Sequence, residues 1–234
     1  MYNFADFLNR LEETSWDPAG HLDDTVLGLL AELDGERDLL YREVLSWAAG
    51  NLEYRGLRSH ETTTHYKWFV YYHETLSFRV WLHQYKSADE RVPGHAEVPH
   101  NHRYSLASLV ISGGFDHHIF HQHKLGLREQ ASSVRPFRAG DTYTVRWDEI
   151  HKLSNLLDHT LTLVIESPIV RHYSEAFYAD ADRPRRFYDF AGLHSSLCEA
   201  TRSASAGPSG HGLPAEPAAC LPAAGPAAPR TAAG

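Results

Sequence analysis

The sequence predicts a mainly β domain, a small sandwich or barrel, with a helical segment before it and an unstructured tail behind it. Three observations predict this. Apolar residues before residue 50 recur at helical spacing, whereas from about residue 65 the period changes to two. The two-period runs are short and are divided by turn-forming stretches: Gly113-Gly114, Ala139-Gly140-Asp141 and Leu157-Asp158-His159-Thr160. The whole chain of 234 residues, 42% hydrophobic and 12% aromatic, suits one domain with a substantial core.

In chain order, Phe4, Phe7, Leu8 and Leu11 predict a first helix that ends near Trp16-Asp17-Pro18. Leu22, Val26, Leu27, Leu29, Leu30 and Leu33 predict a second, stopped by Asp34-Gly35, and Leu39 to Ala48 a third, stopped by Gly50. Residues 1–60 are therefore expected to form a helical segment packed on the outside of a sheet. Residues 61–180 are expected to form the barrel, with an aromatic and β-branched strand from Tyr66 to Tyr72. Next, Leu76, Phe78, Val80 and Leu82 alternate with Ser77, Arg79, Trp81 and His83, a half-buried strand with one polar, aromatic face. Residues 105–112, 116–123, 142–147 and 160–166 supply further strands. After a C-terminal extension over 181–202, residues 203–234 hold six of the twelve prolines and many alanines. Such a composition cannot bury enough apolar area to offset its ordering entropy, so disorder is expected there.

The formal net charge of −8 and the absence of a long basic run exclude nucleic acid and anionic membrane as main partners. Cys198 and Cys220, the two cysteines, both lie beyond the expected core and do not make a disulfide scaffold. The start, Met1-Tyr2-Asn3-Phe4, does not read as a signal peptide, and no stretch approaches eighteen consecutive apolar residues. A cytoplasmic protein is expected.

The most informative residues are histidines. The first block reads Gly94-x5-His100-x-His102 and runs through Ala107 to Gly114. The second reads Gly140-x5-Arg146-x-Asp148-x2-His151-x3-Asn155. Histidines one residue apart on a strand share a face, and a third from a distant strand can close a triangle around one metal ion. The two blocks resemble the paired motifs of the cupin superfamily, with Arg146 and Asp148 where proline and glycine are usual. The resemblance implies a single jelly-roll barrel, with His100, His102 and His151 as metal ligands and Asn155 as a supporting residue at the turn after His151. Typical cupins add a glutamate. Here its position holds Ala107, which implies a neutral three-histidine site with space beside the metal. Such sites resemble those of the cysteine dioxygenase branch, which holds ferrous iron. The cross-linked cysteine of some of those enzymes is missing at Ala107, and Val164-Ile165-Glu166-Ser167-Pro168 stands where their serine-histidine-tyrosine relay would be.

Other residues extend the site. Arg79, on a polar strand face with Trp81 and His83, could hold a substrate carboxylate bidentately, or could make an outward salt bridge. Arg103 and Arg146 are further cations. Tyr104 and Tyr143 are pocket hydroxyls or plain packing aromatics. His117, His118, His121 and His123 form a cluster in which 117, 121 and 123 share one face; a solvated strand competes with a second metal site, and His118 is a candidate acid or base with Tyr143. Asp148 and Glu149 precede His151 closely enough to orient an imidazole, or are exposed at a turn.

The resemblance implies an oxygenase or dioxygenase using Fe(II) and O2 on a small polar substrate, a thiol or an amino-acid-like compound. Zn(II) with non-redox or rearrangement chemistry is the alternative, and a non-catalytic binding barrel the third. Cupin barrels attached to helix-turn-helix domains are often sensors, but residues 1–50 carry many more acids than Lys and Arg. A homodimer through the outer sheet or the helical segment would fit the family's habits.

Overall fold

The computed structural model describes residues 4–14, 22, 24–34, 42, 44, 46, 59–91, 97–123, 126–127, 131–178 and 183–188. Contacts divide the chain into Met1–Phe187 and Tyr188–Gly234, and the second unit, Tyr188 apart, lies outside the described residues. The expected tail over 203–234, both cysteines and most of the expected third helix fall outside them too.

Helix α1 (Phe4–Glu13) buries Phe4, Phe7, Leu8 and Leu11, the i, i+3, i+4, i+7 stripe that an amphipathic helix lays on a core. Helix α2 (Asp24–Asp34) does the same with Val26, Leu29, Leu30 and Leu33. The two stripes share one core with Val44 and with Val80, Leu82, Leu109, Leu163 and Ile165 from the strands beneath. Arg10 of α1 also pairs with Glu32 of α2, but both side chains are exposed and the pair adds little.

Thirteen strands are described: β1 (His60–Glu61), β2 (His65–Tyr72), β3 (Arg79–Tyr85), β4 (Leu106–Ser112), β5 (Gly114–Phe120), β6 (Gln122–His123), β7 (Gly126–Leu127), β8 (Ser133–Arg138), β9 (Thr142–Val145), β10 (Ile150–Ser154), β11 (Leu161–Glu166), β12 (Tyr173–Ala176) and β13 (Arg185–Tyr188). A six-stranded sheet has the order β1-β2-β3-β11-β4-β9, and a three-stranded sheet the order β10-β5-β8; β6-β7 and β12-β13 are two-stranded ribbons. The helices cover one face of the large sheet. Its other face meets the small sheet: Phe69, Trp81, Tyr85, Leu106, Val110 and Val164 pack with Phe115, Phe137 and Leu153. This is a jelly roll of two packed antiparallel sheets. Strand β11, in the middle layer, is buried at every position, as a strand covered on both faces must be.

The chain crosses from the large sheet to the small one at Gly113-Gly114. Both have positive φ, 72° and 154°. A Cβ on Gly113 would lie 2.3 Å from Thr160 Oγ1, and one on Gly114 2.4 Å from the Phe137 carbonyl, so only glycine fits the crossing.

Three elements differ from the sequence reading. Strand β3 starts at Arg79 rather than Leu76, because Ser77 sits in the left-handed region (φ 57°) and its N–H donates to the His73 carbonyl, closing a turn. The expected strand over 116–123 breaks after Phe120, leaving His121 exposed between strands. Strand β8 was not anticipated: it is an edge strand, exposed everywhere but at Phe137, and it tolerates Pro136 because only one of its sides pairs. Among the described residues no helix is long and apolar enough to cross a membrane.

Candidate metal centre

His100 and His102 lie on the segment leading into β4, and His151 on β10. The main chain joins them directly. His100 N–H donates to the His151 carbonyl and His151 N–H to the His100 carbonyl, each at 2.8 Å, an isolated antiparallel rung. The segment is held from its other side as well. Asn101 N–H donates to the Glu175 carbonyl at 3.0 Å, Glu175 N–H to Asn101 Oδ1 at 2.7 Å, and Arg171 Nε–H to the His102 carbonyl at 3.1 Å.

The three imidazoles each offer one nitrogen, all within 4.8 Å of one another; His100 and His151 are buried and His102 partly so. His102 Nε2 and His151 Nε2 are 2.8 Å apart. Two ring nitrogens approach this closely when one carries a hydrogen that the other accepts, or when both bind one ion. The far nitrogens fix the tautomers. His100 Nδ1 donates to the Val98 carbonyl at 2.8 Å, which leaves its Nε2 with a lone pair toward the others. His151 Nδ1 meets His117 Nε2 at 2.8 Å. Burial first, and then the neighbouring His118, pushes the His117 imidazole down to about 4, so it is a neutral hydrogen-bonding partner. With Nε2 of His151 given to a metal, its Nδ1–H donates to His117. Three neutral imidazoles, two with their outer nitrogens occupied, fit a borderline divalent ion such as iron or zinc. Among the described residues no carboxylate or thiolate joins the group.

His117→Phe is expected to keep the fold, since Phe137 and Tyr143 already pack on that ring at 5.8 and 5.6 Å. It should weaken metal affinity about 10- to 100-fold, the usual effect of losing the group that orients a ligand imidazole. Competition against a chromogenic chelator reads this directly, and unchanged affinity would remove His117 from the site.

A cavity of about 270 Å³ opens on the three histidines. His83, Tyr104 and Tyr143 line it, as do Lys67, Arg103 and Glu166. The Tyr104 ring stacks on His102 (5.6 Å, 17° between planes), and burial first, then the neighbouring Glu166, push its hydroxyl well above the usual phenol range. Burial holds Tyr143 up at about 12, so it stays a neutral phenol. Burial and the nearby His65, Lys67, His102 and His60 keep His83 well below the usual imidazole range. Leu106, Leu153 and Val164 supply apolar wall.

The other predicted residues lie elsewhere. Arg79 does not reach the cavity wall; its Nη1 donates to Glu166 Oε2 at 3.3 Å. Trp81 is buried in the core behind the wall, edge-on to Phe69. His118 points to the opposite face of β5 from His117 and bonds to Ser154 Oγ at 2.6 Å, away from the cavity. Asn155 stands at the exposed turn after β10 with φ 48°; its amide donates to Asp116 Oδ2 at 2.7 Å and does not touch His151. Arg146 and Asp148 pair with each other on the surface. Neither Asp148 nor Glu149 bonds to a ring of the trio; His117 does.

Ala107 requires a correction. It faces the helices, in the same core as Leu109 and Ile165, and leaves no space beside the metal. Strand alternation instead turns Leu106 into the cavity, so the position of the acidic residue in the cupin motif falls on Leu106, with Gly113 closing the block. The conclusion of a neutral site stands on that residue. His60, His65, Lys67 and Glu166 also line the cavity, and the sequence reading did not single them out. A lysine inside the aromatic run Tyr66–Tyr72, and a glutamate ending the apolar run Leu161–Glu166, were the available signals.

No family model matches the chain, and no curated protein does. Among solved structures it is similar to KdgF from a Halomonas species, at 16% identity over 47% of this chain and 86% of that one, with a TM-score of 0.35. It is similar to ectoine synthase from P. lautus at 13% identity, 47% and 68% coverage and a TM-score of 0.34. An uncharacterized conserved protein with a double-stranded beta-helix domain from Klebsiella pneumoniae matches at 18% identity, 51% and 89% coverage and a TM-score of 0.33. Likeness this distant assigns neither family nor chemistry.

Proposed function

We propose that the chain is a mononuclear non-heme iron enzyme, an oxygenase or dioxygenase that uses O2 on a small polar metabolite, thiol or amino-acid-like. The observation that carries this reading is the neutral donor set of His100, His102 and His151, with no described carboxylate beside it. Ferrous iron held there would keep its full charge and open positions, and would supply the redox and Lewis-acid chemistry. The chain's residues do the rest. Tyr104 fixes the His102 ring by stacking on it. Tyr143 offers a neutral hydroxyl to the cavity at any pH below about 12. The Leu106, Leu153 and Val164 walls limit water, which strengthens every polar contact with substrate.

Zinc accepts the same three nitrogens plus water, and would favour hydrolysis or isomerisation instead. Anaerobic purification, metal analysis and oxygen uptake on thiols and amino acids separate the two. Iron at about one per chain with substrate-dependent oxygen consumption is expected. Zinc alone, with no oxygen consumed after Fe(II) reconstitution, would sink the oxygenase reading. Ligand binding unchanged in metal-free His100→Ala protein would instead indicate a non-catalytic binding barrel.

A further inference from the structure

The cavity wall carries a charge imbalance and an empty hydrogen-bonding position, and Lys67 and His83, one from each, face each other across the β2–β3 pair. Glu166 is buried to 2% exposure and faces two cations, Lys67 Nζ at 3.1 Å from Oε1 and Arg79 Nη1 at 3.3 Å from Oε2. Their side chains are 13% and 22% exposed, so one carboxylate answers two largely buried positive charges. Glu166 is the only acid among the described residues that line the cavity. A buried cluster with a net positive charge is costly unless something answers it. Arg79 faces Glu166 from outside the cavity wall; Lys67 lines the cavity, its ammonium 4.6 Å over the Trp81 ring.

Directly opposite Lys67 across the β2–β3 ladder is His83. Its Nε2 is buried and has no hydrogen-bond partner. Cross-strand partners on one face bring their Cβ atoms to within roughly 5 Å, so one small group can reach both side chains. An ammonium and an imidazole N–H present two donors, which is what the two oxygens of a carboxylate accept.

We propose that this cavity selects a small organic anion and seats its carboxylate between Lys67 Nζ and His83 Nε2, with the rest of the molecule directed toward His100, His102 and His151. The inference rests on the cavity being the substrate site. It makes Lys67 and His83, rather than Arg79, the residues that choose the substrate. The cavity volume of about 270 Å³ limits the molecule to on the order of ten non-hydrogen atoms. A cationic amine of the same shape is repelled by Lys67, and a neutral amide cannot answer its charge.

The test compares pentanoate, pentanamide and pentylamine on the full chain, first stripped of metal with a chelator and then loaded with Zn(II), by calorimetric titration. In the stripped chain pentanoate should bind at least about tenfold more tightly than pentanamide, with pentylamine weaker still. Lys67→Met should bring acid and amide within about twofold of each other while keeping metal content, because Arg79 still pairs with Glu166. Lys67→Arg should retain the preference, and it serves as the variant to compare if Lys67→Met does not fold. Equal binding of acid and amide by the unmodified chain, no binding of the acid, or an undiminished preference in Lys67→Met would each overturn the proposal. The two readings fail separately. An anion preference in a chain that never retains metal leaves this proposal standing and removes the metal enzyme; retained metal without the preference does the reverse.

Discussion

Replacing His151 by alanine is expected to abolish metal retention and to destabilise the fold, whereas His102→Ala should abolish retention alone. All three imidazoles are needed to complete the group, so losing either ligand should take metal content from about one per chain to less than about a tenth. The difference lies in what each ring touches besides the ion. His151 is buried, and its Nδ1 is the partner of the buried His117 Nε2. Deleting it leaves a cavity and an unsatisfied buried nitrogen, together about 2–3 kcal/mol. His102 is only partly buried, and its nitrogen faces the ion position. Metal analysis with denaturant unfolding of the metal-free proteins measures both effects. Stoichiometric metal in His151→Ala would remove the site, and equal stability of the two variants would refute the structural role of the His151–His117 contact.

The second large effect is expected at Glu166. Glu166→Gln should destabilise the protein by about 3 kcal/mol, because it leaves Lys67 and Arg79 beside each other in a mostly buried setting without their common counter-ion. Burial alone would raise the Glu166 carboxyl; Lys67 and Arg79 outweigh it and hold the group below its ordinary 4.5. A carboxyl lowered by folding contributes its stability above the unfolded value and loses it as the pH falls through the lower folded value. The natural chain should therefore lose stability faster than Glu166→Gln as the pH drops below about 4.5, and the two unfolding curves should draw together. Parallel curves down to acid pH would show that the ion pairs contribute nothing to folding.

The parts of this molecule that sequence made legible are those governed by periodicity. The stripes Phe4–Leu11 and Val26–Leu33 became α1 and α2 because a repeat of 3.6 leaves one way to bury them. Strands β2, β4, β9 and β11 followed from short runs rich in aromatic and β-branched or apolar residues between turn signals. The ligand trio was legible because the two blocks carry fixed spacings, and spacing on a strand is direction. Parity also exposes where the reading slipped. The cupin motif allows three or four residues before its acidic position, and only the strand's own alternation selects Leu106 over Ala107. What sequence could not show depends on register between distant segments. His117 reaches His151 because β5 and β10 pair His151 with Ile119, which puts His117 on the diagonal. Lys67 and Glu166 meet across 99 residues. Arg79 reads equally as a substrate cation or as a salt-bridge partner, because its partner Glu166 lies 87 residues away on another strand.

The paired hydrogen bonds between His100 and His151 have a consequence for how this centre could change. Because the rung is made of main chain, the distance between the two Cα positions, roughly 5.5 Å for such a pair, does not depend on which side chains occupy them. The backbone thus acts as a fixed ruler on which donors are interchangeable. A carboxylate in place of His100 would meet the same opening from the same spacing and turn a neutral triad into a charged one without rebuilding a strand. The chemistry of this barrel is set by side chains that can be exchanged one at a time, on a frame that need not move to accommodate them.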